Sequence, residues 1–129
     1  MTNLHTSNPG INLQITFLYY KDLNKAIRFY EDVMGFKLAI DQGWSKIYHV
    51  TGNAHIGLVD EVRGRFNNEP KKTNQICLRV PNVEAWHKHL KDRGVTSLTD
   101  IKESHELKIK VFVLLDPGDY ELEIQEAIG

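Results

Sequence analysis

Near the C-terminus, Tyr120-Glu121-Leu122-Glu123-Ile124-Gln125 alternates polar and apolar residues. Successive side chains of an extended strand point to opposite faces, so Glu121, Glu123 and Gln125 share one face. If that face lines a cavity, Glu123 is the residue best placed to carry chemistry. A cavity carboxylate can accept a proton as a general base or offer oxygen to a cation. Gln75-Ile76-Cys77-Leu78-Arg79 alternates in the same way and puts Gln75, Cys77 and Arg79 together. An inward Arg79 can grip an anionic ligand through paired hydrogen bonds, or simply neutralise Glu123; both uses remain open. Phe17 and Tyr19, with Trp44 and Tyr48 as further candidates, supply the apolar walls that small-molecule sites usually have.

Other reactive residues carry less. His87 and His89 sit at i and i+2 on a helical stretch, point to different faces and read as solvent residues. His5 lies in an N-terminal tail, and His105 lies between Glu103 and Glu106 without a partner at ligand spacing. Cys77 has no base beside it in sequence and reads as a buried, unactivated thiol. No glycine-rich phosphate loop, nucleophile elbow or Walker-type lysine is present.

The elements that would position these residues occur twice. Leu13–Tyr20 reads as a strand, apolar enough on both sides to be covered on both. Asp22 is an N-cap, and Leu23, Ala26, Ile27, Tyr30 and Met34 form one helical stripe that Gly35 terminates. Phe36–Asp41, Lys46–Val50 and His55–Val59 read as strands joined at Gln42-Gly43 and Thr51-Gly52-Asn53. The second copy has a strand at 74–80 and a helix capped by Asn82, with Val83, Trp86 and Leu90 inward, stopped by Gly94. Strands follow at Val95–Thr99, Lys108–Leu115 and Tyr120–Glu126. Asp116-Pro117-Gly118-Asp119 fits a type II turn, with Pro at i+1 and Gly at i+2. The polar, charged stretch 61–73 bridges the copies, and residues 1–10 form a flexible tail. The reading is a single α+β domain over 1–129. Module 1 spans about 12–60 and module 2 about 74–127, two tandem βαβββ units whose mixed sheet curves into a cup around a cavity.

Composition narrows the function classes. With 41% hydrophobic and 26% charged residues, the chain falls among ordinary globular proteins. Its net charge of -1 gives no case for nucleic acid or anionic membranes. Its apolar runs, such as Val111–Leu115, are too short to span a bilayer. Met1–Gly10 has neither the basic segment nor the apolar core of a signal peptide, and a lone cysteine cannot form an intrachain disulfide. A cytoplasmic protein is expected.

Three stretches resemble the vicinal oxygen chelate superfamily, which includes glyoxalase I, extradiol dioxygenases, methylmalonyl-CoA epimerase and bleomycin- and fosfomycin-resistance proteins. They are Lys21–Tyr30, Val33-Met34-Gly35-Phe36 and Asp116–Ile124. The resemblance implies the paired-module fold, a homodimer and a small organic ligand. Metal-dependent members hold a divalent ion from four cavity positions, which correspond here to Ile15, Gly57, Gln75 and Glu123. Ile15 and Gly57 offer no donor, and two remaining donors fall short of the three or four that a zinc site takes. The resemblance therefore implies a metal-independent, bleomycin-resistance-like binding protein without a cofactor, with Phe17, Tyr19, His55, Gln75, Arg79 and Glu123 as its walls. The alternative is a metal-dependent lyase, isomerase or dioxygenase of the same superfamily. There His55, two residues before Gly57, would join Gln75 and Glu123 around displaced Zn, Ni, Fe or Mn, and Glu123 would act as catalytic base.

Overall fold

Each copy opens with a strand that runs into a capped helix. In the computed structural model, which describes residues 7–129, strand β1 is Gln14–Tyr20 and helix α1 is Leu23–Arg28. Asp22 caps α1, its Oδ1 accepting from Lys25 N at 3.2 Å. The expected single helix then loosens into a π-type turn over Phe29–Val33, with Met34 N reaching Phe29 O at 2.9 Å. Ala26, Tyr30 and Met34 stay buried through the change, so the apolar stripe survives the altered pitch. Strands β2 (Lys37–Asp41), β3 (Ser45–Thr51) and β4 (Ala54–Asp60) complete the first module. The second contains β5 (Gln75–Arg79), α2 (Val83–Asp92), β6 (Lys102–Ser104), β7 (Ile109–Leu115) and β8 (Glu121–Ala127). Asn82 caps α2, accepting from Ala85 N at 3.0 Å. The flexible-tail expectation for residues 1–10 falls largely outside the described residues, as does His5.

Two four-stranded sheets result, ordered β1-β4-β3-β2 and β5-β8-β7-β6. In each, the first strand pairs parallel with the last, so the repeat seen in sequence is also a repeat of topology. One core joins the helix-facing sides of both sheets: Leu18, Tyr20, Tyr30, Tyr48 and Leu58 pack in one cluster with Val83, Leu90, Phe112, Leu122 and Ile124.

Three expectations are corrected. Val95–Thr99 is not a strand. Side chains replace the backbone ladder there: Ser97 Oγ accepts Leu115 N at 2.9 Å and Thr99 Oγ1 accepts Val113 N at 3.0 Å, while Thr99 N donates to Val113 O at 3.0 Å. The turn after β7 is not type II, because the residue at positive φ is Asp119 (63°) rather than Gly118. Gly118 is required for space instead, since a Cβ there would lie 2.8 Å from the Tyr20 ring. Finally, β1 is covered on one face only: Leu18 and Tyr20 are buried, but Phe17 is 42% exposed.

The modules are stitched at the end of β1. Asp116, only 4% exposed, accepts through Oδ2 from the hydroxyls of Tyr20 and Tyr30, the latter at 2.8 Å. Its Oδ1 accepts Gly118 N at 2.8 Å and Tyr120 N at 2.9 Å, so both oxygens are doubly hydrogen-bonded. Burial still raises its pKa from the ordinary carboxyl value, against the lowering effect of these donors. Tyr120 Oη accepts Tyr19 N at 2.9 Å. Asn68, from the connecting segment, donates to Tyr19 O and Gly118 O at 2.9 Å each. The bridge between the copies is therefore a clasp as well as a connector.

Candidate functional site

At the other end of β1 the modules part. A cleft of about 510 Å³ opens between them, lined from module 1 by Gln14, Thr16, Val50 and His55 among others. From module 2 it is lined by all of β5, by Val80 and by Trp86. The strand order explains its position, because β1 and β5 are both edge strands, each bonded on one side only. Its volume is within the range of ligand sites, and its lining mixes apolar side chains with a few polar groups.

The polar groups come from a ladder across β5 and β8. Register places Gln75 opposite Glu121, Cys77 opposite Glu123 and Arg79 opposite Gln125. Gln75 Nε2 donates to Glu121 Oε2, Cys77 Sγ to Glu123 Oε2 at 3.5 Å, and Arg79 Nε to Gln125 Oε1 at 2.8 Å. Gln125 Nε2 donates to Glu123 Oε2 at 2.7 Å, closing a chain Glu123–Gln125–Arg79. Of the two uses open to Arg79, a direct pairing with Glu123 is replaced by one through an amide, because the parallel register offsets the two residues by two positions. Cys77 is exposed rather than buried. Partial desolvation and then the Glu123 carboxylate raise its thiol pKa.

The matching face of the first sheet is different. Register aligns Ile15 with His55, Phe17 with Gly57 and Tyr19 with Val59. The Phe17 ring lies over Gly57 so closely that a Cβ there would be 2.4 Å from it. Ile15 has no donor and the ring fills the space beside Gly57, so the residues present do not fit the four-donor site that the superfamily implies. Among the described residues, no three His, Cys, Asp or Glu side chains gather as a metal would need.

Of the sequence-derived candidates, His55, Gln75 and Arg79 come together at the cleft, while Phe17, Tyr19 and Glu123 are not part of its lining. Tyr48 leaves the list: it is fully buried on the helix side, with its hydroxyl donating to Glu31 Oε2 at 2.6 Å. Trp44 stacks under the Arg63 guanidinium, 5.6 Å from its ring centroid. His87 and His89 are partly buried rather than solvent residues. Each docks a ring nitrogen at a backbone carbonyl, His87 at Thr99 O (3.0 Å) and His89 at Val33 O (2.8 Å). Sequence reasoning missed Gln125, Trp86 and His49 as site neighbours. The ring of His49 lies 5.3 Å from that of His55, opposite it in the β3–β4 register. Gln125 was visible as a member of the Glu123 face; its role depends on register, which alternation alone does not supply.

Two sheets of identical βαβββ plan, each with its helix in a shared core, define the class. The chain belongs to the Glyoxalase/Bleomycin resistance protein/Dioxygenase superfamily, whose sequence pattern matches residues 12–124. Its fold is similar to that of an integron cassette protein from the mobile metagenome of Halifax Harbour sewage outfall. The two share 22% identity and a TM-score of 0.73, over 88% of this chain and 97% of that one. It is also similar to lactoylglutathione lyase from Agrobacterium tumefaciens (21%, TM-score 0.69, 92% and 96% covered). A genomically encoded fosfomycin resistance protein from Listeria monocytogenes is a third (15%, TM-score 0.72, 89% and 92%). No curated protein matches at the sequence level. None of the helices among the described residues is long and apolar enough to cross a membrane.

Proposed function

We propose that this protein binds a small organic molecule in the cleft between its modules, without the four-donor metal site of its superfamily. One observation carries the reading. A cleft of about 510 Å³ combines apolar walls at Val50, Ile76, Leu78, Val80 and Trp86 with directed polar groups at His55, Gln75 and Arg79. The structural neighbours named for lactoylglutathione and fosfomycin support a small-molecule role in general terms. A thermal-shift screen of aromatic and aliphatic acids, amides and alcohols tests it. At least one compound should raise Tm, and the shift should vanish in Trp86→Ala, and for acids in Arg79→Ala as well, while surviving in Leu107→Ala, an exposed position outside the cleft lining. Hits indifferent to both cleft substitutions would move the site elsewhere.

The competing reading is a divalent ion at His55, Gln75 and Glu123 serving a lyase, isomerase or dioxygenase. It draws support from His55 and Gln75 sharing the cleft. Against it, the Glu123 oxygen Oε2 is already taken by Cys77 and Gln125. Calorimetric titration with Zn, Ni, Mn and Fe(II) should give no stoichiometric binding; a one-to-one site lost in His55→Ala would reverse the assignment. We further propose a homodimer. Phe17 and Ile40 expose 42% and 40% of their surfaces on the open side of the first sheet, an apolar area that a second copy would cover. Light scattering that returns the 14.9 kDa mass of one chain at high concentration would dismiss it.

A further inference from the structure

We propose that Arg79 makes the cleft selective for an organic acid, a carboxylate carried on a flat apolar body, and that Gln125 and Glu123 are its positioning residues. The proposal rests on the cleft being the ligand site. Arg79 lies in the cleft wall and, among the described residues, makes no ion pair. Among the described residues only its Nε–H is engaged, by Gln125 Oε1 at 2.8 Å. A guanidinium has five N–H donors in a planar fork, so the outer pair of amino groups is left to meet a carboxylate side-on.

The intermediary matters. A carboxylate in contact with Arg79 would satisfy the guanidinium and cancel its charge, closing the site to an anion. An amide takes one N–H and leaves the charge in place. Gln125 is itself fixed, because Glu123 Oε2 accepts its Nε2 at 2.7 Å. That bond decides which way the amide faces: the NH₂ turns to Glu123, so the carbonyl oxygen turns to Arg79. Glu123 thus holds the guanidinium at one remove. The ladder continues the logic at the far end of β5, where Gln75 donates to Glu121 and keeps its own carbonyl oxygen free.

The rest of the cleft sets the remainder of the ligand. Trp86, Phe36, Val50 and Val80 offer apolar surface for a ring. His55 shares a hydrogen bond with the carbonyl of Asn53 through Nδ1, so Nδ1 carries the proton and Nε2 is an acceptor in the neutral ring.

Two probes of one shape, 2-naphthoate and 2-naphthamide, test the proposal, with Kd taken from titration shifts of the Trp86 indole N–H. The acid should bind about tenfold or more tighter than the amide, the discrimination expected of one bidentate charged contact. The preference should disappear in Arg79→Ala and fall part-way in Gln125→Ala and Glu123→Gln, the 2-naphthoate Kd rising by a larger factor than the 2-naphthamide Kd in each. Equal weakening of both probes in Gln125→Ala would show a merely structural role and overturn the positioning claim. Equal binding of the two probes to the parent protein would overturn the acid selectivity and leave the cleft standing. Failure of both to perturb Trp86 would remove the cleft as the ligand site, and this inference with it.

Discussion

On the open face of the first sheet, Phe17 lies across Gly57, and Ile47 and Val59 are buried alongside. At the matching positions of the second sheet stand Cys77 over Glu123, with Gln75, Arg79 and Gln125 in hydrogen-bonded contact. Strand order, pairing and helix placement are the same in both. Identical topology therefore leaves the chemistry of a face free: one copy uses its inward positions for packing and the other for directed polar groups. The change from packing to polar groups falls on one parity, while the opposite parity of each strand stays apolar for the shared core even where its residues differ, as Leu58 and Ile124 do.

The comparison breaks first where the two halves are joined. Asp116→Ala should cost about 3 kcal/mol or more, measured by urea denaturation, because it leaves the buried hydroxyls of Tyr20 and Tyr30 and two backbone N–H groups without their acceptor. The pH dependence has a definite sign. The folded-state pKa of Asp116 is raised above 3.8. Its contribution is therefore fully present below that unfolded value and is lost as pH rises through the folded value. Against Asp116→Asn, which cannot ionise, the parent should lose relative stability on going from pH 4 to pH 7. A pH-independent difference would mean that burial does not govern this carboxyl.

Next in size is the contrast between the faces themselves. Phe17→Ala should cost about 1–2 kcal/mol, scaled down from a fully buried ring because Phe17 is 42% exposed. Glu123→Gln, on the half-exposed ladder, should change stability by less than about 0.5 kcal/mol. Denaturant midpoints that rank the two in the opposite order would erase the division between a packing face and a polar one.

A subtler measurement is the reactivity of Cys77. Desolvation and the neighbouring carboxylate raise its pKa, so iodoacetamide should alkylate it more slowly than free cysteine at pH 8 despite its exposure. Glu123→Gln should speed the reaction several-fold, as expected when one adjacent charge is removed. No change would separate the thiol from the carboxylate. Away from both faces, Thr99→Ala should cost about 1 kcal/mol by the same denaturation measurement, since Thr99 Oγ1 accepts the amide of Val113 beside β7.

Much of this was legible in the residues. Caps at Asp22 and Asn82, the stop glycines and the alternation of 75–79 and 121–125 are local signals, and local signals place elements and faces. What they could not carry is relation between elements. The partner of Arg79 depends on a parallel register that no single strand encodes, so alternation alone leaves Glu123 and Gln125 equally available to it. Val95–Thr99 has the β-branched composition of a strand, yet its hydroxyls compete with its own backbone for the edge of β7. The Pro-Gly pair named a turn but not its geometry, because the crowding by Tyr20 arrives from residues far away in the chain.

The distance along the chain between Asp116 and the tyrosines it holds, 96 residues from Tyr20 and 86 from Tyr30, bears on how the protein is made. A nascent first copy, though it owns a sheet and a helix, would carry two inward hydroxyls with nothing to receive them until the final hairpin emerges. Its aromatic interior would stay wet and loosely packed meanwhile. The duplicated halves are thus siblings in plan and not independent in assembly: neither reaches its native interior alone, and the chain should unfold in one cooperative step.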